Sequence, residues 1–166
     1  MTAFILFHTA VSFLAVGFGL LALVRDAQID PSNRLGKLYL VTMLIGSVSS
    51  FGFIPALGFT PGQVLTLITL SLLFTGTFTL RGQRRGPGYI QTISLSASYL
   101  MLMVFATTET LKRVPLSHPF ASGPTDPSLI PVHLGLLVAF ILGVGYQVLQ
   151  IRATNRYLLA AYRHAA

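Results

Sequence analysis

Apolar residues fall into five long runs, separated by short breaks rich in proline, glycine and charge. The runs extend from about Ala3 to Val24, Leu38 to Ile54, Pro61 to Leu80, Tyr89 to Leu111 and Pro127 to Ile151. A helix of about 17–25 residues crosses a hydrocarbon core of about 30 Å, and each run has that length. The pattern predicts an all-α, polytopic membrane helix bundle of five transmembrane helices. It is one bundle over residues 1–166, ending in a basic tail from Arg152 to Ala166.

The breaks carry their own signals. Asp30-Pro31-Ser32-Asn33 interrupts the chain before the second run, and Pro55 marks that run's end. Thr60-Pro61 and Asp126-Pro127 read as an N-cap followed by proline at the first helical position. Arg85-Gly86-Pro87-Gly88 is a tight turn signal. Five prolines between Val114 and Pro131 make that segment the longest loop.

Small and polar residues mark the faces on which helices in lipid associate. His8, Ser12, Ala15, Gly19 and Ala22 form one face of the first span, and Tyr39, Thr42, Gly46, Ser49 and Phe53 one face of the second. Gln91, Ser94, Ser98 and Glu109 line one side of the fourth, with Leu102 and Phe105 between them. Gly135, Ala139 and Gly143 form a ladder on the fifth that invites close backbone approach.

Charge supplies an orientation. Only 9% of residues are charged, against about 25% in ordinary soluble domains. The net charge of +7 would suggest nucleic acid in a soluble protein, but here the basic residues cluster at span ends. One set of ends carries Arg25, Arg34, Lys37, Arg81, Arg84, Arg85, Arg152, Arg156 and Arg163; the other carries Lys112 and Arg113. The positive-inside rule puts the larger set in the cytoplasm, the N-terminus outside and the C-terminus inside. Tyr39, Tyr89 and Tyr157 lie near the cytoplasmic ends, where interfacial aromatics belong. The first span lacks the basic start of a signal peptide and is long for one, so it is expected to be retained. The tail after Ile151 continues the fifth helix, either along an anionic leaflet or as a frayed end. With no cysteine, disulfides, thiolate metal sites and iron–sulfur clusters are excluded.

Three ionisable residues lie within spans: His8, Glu109 and His133. Such groups are costly in hydrocarbon and raise a functional question by default. The orientation puts all three in the outer third of the membrane. Three chemistries stay open. His8, Glu109 and His133 are candidate ligands of a divalent metal. His8 and His133 are alternatively axial ligands of a haem b, in a slot lined by Phe7, Phe105 and Phe140. The third is a proton relay through Glu109 and His8. Against these stand packing roles, including a pair between Glu109 and Lys112 or Arg113 one turn on. No phosphate loop, zinc-protease helix or nucleophile elbow is present, so no catalytic residue is named. Gly17-Phe18-Gly19 lies within a span and reads as packing.

The stretch Asn33-Arg34-Leu35-Gly36-Lys37-Leu38-Tyr39 resembles a family of bacterial predicted membrane proteins of unknown function. That family shows His-Arg, a short gap, then Gly-Arg-Leu-Tyr at this place, and a histidine in its first span, matched by His8. The likeness runs from His8 to Pro115, about two thirds of the chain. Asn33 stands where the family has histidine, and Gly86-Pro87-Gly88 replaces a second basic, histidine-rich turn. The resemblance implies a multi-pass protein of the cell membrane, in bacteria the inner membrane. It implies no activity.

These readings rank a structural or accessory subunit of a membrane complex first, partnered by the bilayer and by a membrane protein or further copies of itself. The alternatives are a haem- or metal-binding electron-transfer module and a small oligomeric transporter or channel lined by the Ser, Thr and Gln stripes.

Overall fold

The computed structural model describes residues 2–78 and 88–165, with side chains up to Arg156 apart from that of Leu57. Among the described residues there are six α-helices and no strand: α1 Thr2–Asp26, α2 Arg34–Ser50, α3 Ile54–Leu57, α4 Pro61–Phe78, α5 Tyr89–Leu111 and α6 Ile130–Ala165. Single 3-10 turns occupy Phe51–Phe53 and Pro127–Leu129. Five stretches are long and apolar enough to cross a membrane: Thr2–Asp26, Arg34–Ala56, Pro61–Phe78, Tyr89–Leu111 and Pro127–Arg156. The expected end of the third span at Leu80, the Arg81 to Pro87 turn and the side chains of Tyr157 and Arg163 lie outside the described residues.

Local chemistry moves two boundaries. The second helix opens at Arg34, four residues before Leu38, because the Asn33 side chain accepts from the Gly36 N–H at 2.8 Å. That is an N-cap, which satisfies a backbone donor the helix cannot satisfy itself. Pro55 does not stop the span. The chain passes through the 3-10 turn, and Pro55 then sits in the first turn of α3, where its missing N–H costs nothing. Gly58, at φ +72°, closes α3. Thr60 precedes α4 with one half of a capping box: the Gln63 side-chain oxygen accepts from the Thr60 backbone N–H, and also from its hydroxyl.

Helix α1 packs along α2, α2 meets α4, and α5 lies against α1, α4 and α6. The shared core holds Ala15, Ala22, Tyr39, Met43, Leu73, Leu95 and Leu102, with Ile29 of the α1–α2 loop. Close approach depends on small residues. A Cβ on Gly19 would stand 2.5 Å from the Tyr99 ring, so glycine admits that ring between α1 and α5. The surface is inverted relative to a soluble fold. Phe13, Val24, Phe74 and Leu142 are each more than half exposed, while Gln91, Thr69, Thr92 and Ser98 are buried. Water does not cover such an apolar surface cheaply, whereas lipid does.

Two expectations are corrected. Tyr39 is fully buried rather than interfacial, because its hydroxyl finds Ser98 inside the bundle. The Gly135, Ala139 and Gly143 ladder, expected to bring backbones close, meets no described helix of this chain. All three residues are exposed, and a Cβ at either glycine would meet nothing within 4 Å. Helix α6 turns another face inward, the one carrying His133, Phe140, Gln147 and Ile151, where side-chain hydrogen bonds are available.

Candidate functional site

Helix α5 concentrates the buried polar groups. Gln91, Thr92, Ser94, Ser96, Ser98 and Thr108 are all buried on it, beside only two buried leucines, Leu95 and Leu102. The sequence Gln91-Thr92-Ile93-Ser94-Leu95-Ser96-Ala97-Ser98 places small hydroxyls on more than one face, so α5 presents a polar seam to several helices at once.

Side-chain hydrogen bonds close its seams with α1, α2 and α6. The Ser98 hydroxyl donates to the Leu95 carbonyl at 2.7 Å, which leaves the Tyr39 hydroxyl of α2 to donate to Ser98 at 2.8 Å. The Tyr99 hydroxyl donates to the Val16 carbonyl of α1 at 3.3 Å. Ser96 donates to Gln147 Oε1 of α6 at 2.9 Å, and Gln147 Nε2 donates onward to the Ala27 carbonyl at 2.8 Å. Ala27 holds φ +57°, a left-handed conformation unfavourable for a residue with a Cβ. Gln147 satisfies the carbonyl which that turn exposes. Thr108 and His133 Nε2 meet at 3.0 Å. One helix is thereby tied to α1, α2 and α6 by side chains.

The three ionisable candidates share an end of the bundle, because α1 and α6 start where α5 finishes. They do not share a seam. His8 Nδ1 lies 2.8 Å from Ser49 Oγ, whose proton is directed at the Gly46 carbonyl, so the ring donates across the α1–α2 seam. Phe53 meets the His8 ring edge-on at 5.1 Å. His133 belongs to the α5–α6 seam. Glu109 sits at the end of α5, paired with Lys112 at 2.8 Å and Arg113 at 2.9 Å. Among the described residues no three of His, Asp and Glu gather closely enough to hold a metal ion. Phe7, expected as a wall of a haem slot, is half exposed on α1.

Most hydroxyls of the polar stripes turn back on their own helices. Thr42, Thr66, Thr69, Ser71, Thr77 and Thr107 each donate to a carbonyl four residues earlier. Such back-bonding lets a hydroxyl lie in an apolar setting without a partner helix. Two groups lack even this. Among the described residues, both amide atoms of Gln91 and the hydroxyl of Thr92 find no hydrogen-bond partner, although all three atoms are buried. In the long loop, Asp126 accepts from the Ser122 N–H and hydroxyl at 2.7 and 2.6 Å and from the Ser128 N–H at 2.9 Å. These donors, the Ser122 hydroxyl first, hold its carboxyl well below the usual carboxylate range.

Gln91, Ser94 and Ser98 stand out in the helical pattern of the sequence, whereas Thr92, Ser96, Thr108 and Gln147 do not. The available signal was Gln147 itself, an amide inside an apolar run, where a polar side chain needs a partner.

Comparison with protein-family models, with curated proteins and with solved structures finds no match.

Proposed function

We propose that this chain is a multi-pass membrane protein serving as a structural or accessory subunit of a membrane complex. Its N-terminus lies outside and its C-terminus in the cytoplasm, on the side of the larger basic set. The observation that carries the subunit reading is the uncovered face of α6. That helix meets the body of the bundle through α5. A flanking face presents Gly135, Ala139 and Gly143 to open space. In hydrocarbon, apolar bulk gains little by leaving lipid, and association is driven by close backbone approach at small residues and by polar contacts. The same face continues at helical spacing to Tyr146 and Gln150, both exposed, whose side chains bond each other at 2.7 Å. Tight approach and polar capacity therefore coincide on a face that no described helix of this chain covers.

The test is gentle extraction of the full chain from its native membrane, with and without leucine at Gly135 and Gly143. The wild type is expected to migrate as a larger assembly. The double variant should retain its helical content and thermal unfolding profile but migrate as a monomer. A wild-type chain that is only ever monomeric would overturn the reading.

A further inference from the structure

We infer that the end of the bundle carrying the α1–α2 loop binds the phosphate headgroups of anionic phospholipids, through Arg34, Lys37, Arg152 and Arg156. The inference rests on the membrane reading above but not on the α6 partner.

The argument is one of unequal pairing. The acids of the chain are Asp26, Asp30, Glu109 and Asp126. At the far end, Glu109 engages both Lys112 and Arg113, so neither cation is free of a carboxylate. At the loop end, Asp26 is spent on Arg25 at 2.8 Å and on the Asn33 amide at 2.9 Å. The Asp30 side chain accepts from the Ser32 N–H at 2.8 Å. Arg34, Lys37, Arg152 and Arg156 are exposed and form no ion pair with any of these acids.

Position selects the ligand. Gln147 touches the Ala27 carbonyl, so α6 passes the α1–α2 loop just before it reaches Arg152 and Arg156. The four cations therefore surround one end of the bundle. Each of the two on α2 has an exposed aliphatic residue one turn along the same face: Leu38 after Arg34, at 44% exposure, and Val41 after Lys37, at 55%. Arg152 likewise follows Leu149, at 63%. Side chains on a helix tilt toward its N-terminus, and the N-terminus of α2 lies at this end, so Arg34 and Lys37 lean outward, beyond the exposed Leu38 and Val41. An apolar belt edged by outward-running cations matches a lipid surface, with chains against the aliphatics and phosphates at the charges. A dissolved acidic partner or free phosphate would gain nothing from the belt.

The experiment places the full chain in vesicles of phosphatidylcholine with and without phosphatidylglycerol. The lipids that stay bound after mild detergent extraction are then counted by native mass spectrometry. Phosphatidylglycerol is expected to be retained preferentially, and excess inorganic phosphate should not displace it. Each surface charge near an anionic leaflet is worth about a fivefold change in retention. The double variant Arg34→Gln, Lys37→Gln should therefore lower the preference by roughly twenty-fivefold. Lys112→Gln, at the paired end, should leave it unchanged. A circular-dichroism melt of each variant separates loss of preference from loss of fold. No preference between the lipids, or equal loss in Lys112→Gln, would overturn this inference alone. A chain that enters neither vesicle overturns the membrane reading with it.

Discussion

Tyr39 of α2 and Ser98 of α5 join hydroxyls at 2.8 Å, both fully buried, in a contact spanning 59 residues of chain. The Tyr39 ring also stands 6.1 Å from that of Tyr99 in an edge-on arrangement. One side chain thus contributes a polar bond and a large packed volume to the meeting of α1, α2 and α5, and the two are separable. In Tyr39→Phe the Ser98 hydroxyl keeps its bond to Leu95, so the loss should be small, about 0.5–1 kcal/mol. Tyr39→Ala also opens a cavity and should cost about 3 kcal/mol or more. Unfolding by denaturing detergent in mixed micelles reads both. Equal losses would mean that the bond, and not the ring, holds the seam.

The spans were legible because length and hydropathy alone report them. The seams were harder, for a physical reason. In hydrocarbon the buried and lipid-facing sides of a helix do not differ in apolar character, so only small and polar residues mark an interface. Those residues compete: α6 carries a glycine ladder on one side and His133 with Gln147 on another, and hydrogen bonds chose the second. Many hydroxyls mark no interface at all, since their own helix satisfies them. The stretch from Asn33 to Tyr39 carries the family resemblance, and the fold assigns parts of it local work. Asn33 caps α2, and Tyr39 fills the core. His8, Glu109 and His133 were placed at one end correctly by topology, but depth along a helix says nothing about which way around it a side chain points.

Gly36 is the position in that stretch where substitution is least tolerable. A Cβ there would lie 1.8 Å from the Asp30 carbonyl oxygen and 2.4 Å from its carbon. Both atoms are backbone, in a loop pinned by Asn33 and the buried Ile29, so neither yields easily. Gly36→Ala should destabilise the chain by about 2–3 kcal/mol. Gly143→Ala meets nothing within 4 Å and should be neutral or stabilising by up to about 1 kcal/mol through helix propensity. Thermal melts of the two variants in one detergent make the comparison, and similar melting temperatures would contradict it.

Gln147 joins three segments, so its removal should be felt in all of them. Gln147→Leu keeps the volume but leaves the Ala27 carbonyl and the Ser96 hydroxyl without their partner. The expected cost is about 1–3 kcal/mol. Ser96→Ala removes one bond and should cost less, about 0.5–1 kcal/mol. Amide exchange at Gln28 and Ile29 gives a local readout, because the left-handed turn at Ala27 loses its anchor only in the first variant. Unchanged exchange there would show that Gln147 does not hold the turn.

Asp126 predicts a pH response confined to the long loop. Its carboxyl titrates below the usual range in the folded chain, so the charged form is the one the loop stabilises. A depressed folded value means that the contribution is complete above the unfolded value of about 3.9 and is lost as pH falls below it. Protection of the Ser122 and Ser128 amides, taken relative to intrinsic exchange, should be flat from about pH 7 to pH 5 and drop below about pH 4. Asp126→Asn should remove the dependence, and a drop near neutrality in the native chain would contradict it.

Thr92 offers the sharpest stability test, because its hydroxyl is buried without a partner. An unpaired buried hydroxyl costs free energy, and replacing it with a group of the same shape removes that cost. Thr92→Val keeps the branched outline and deletes only the polar atom, so it should stabilise the chain by about 1 kcal/mol. Gln91 is the companion case, since neither of its amide atoms has a partner. Gln91→Leu should likewise raise stability, although leucine is less close to it in shape, so the gain should be smaller. Unfolding in mixed micelles measures both. Loss of stability in both variants would contradict the prediction.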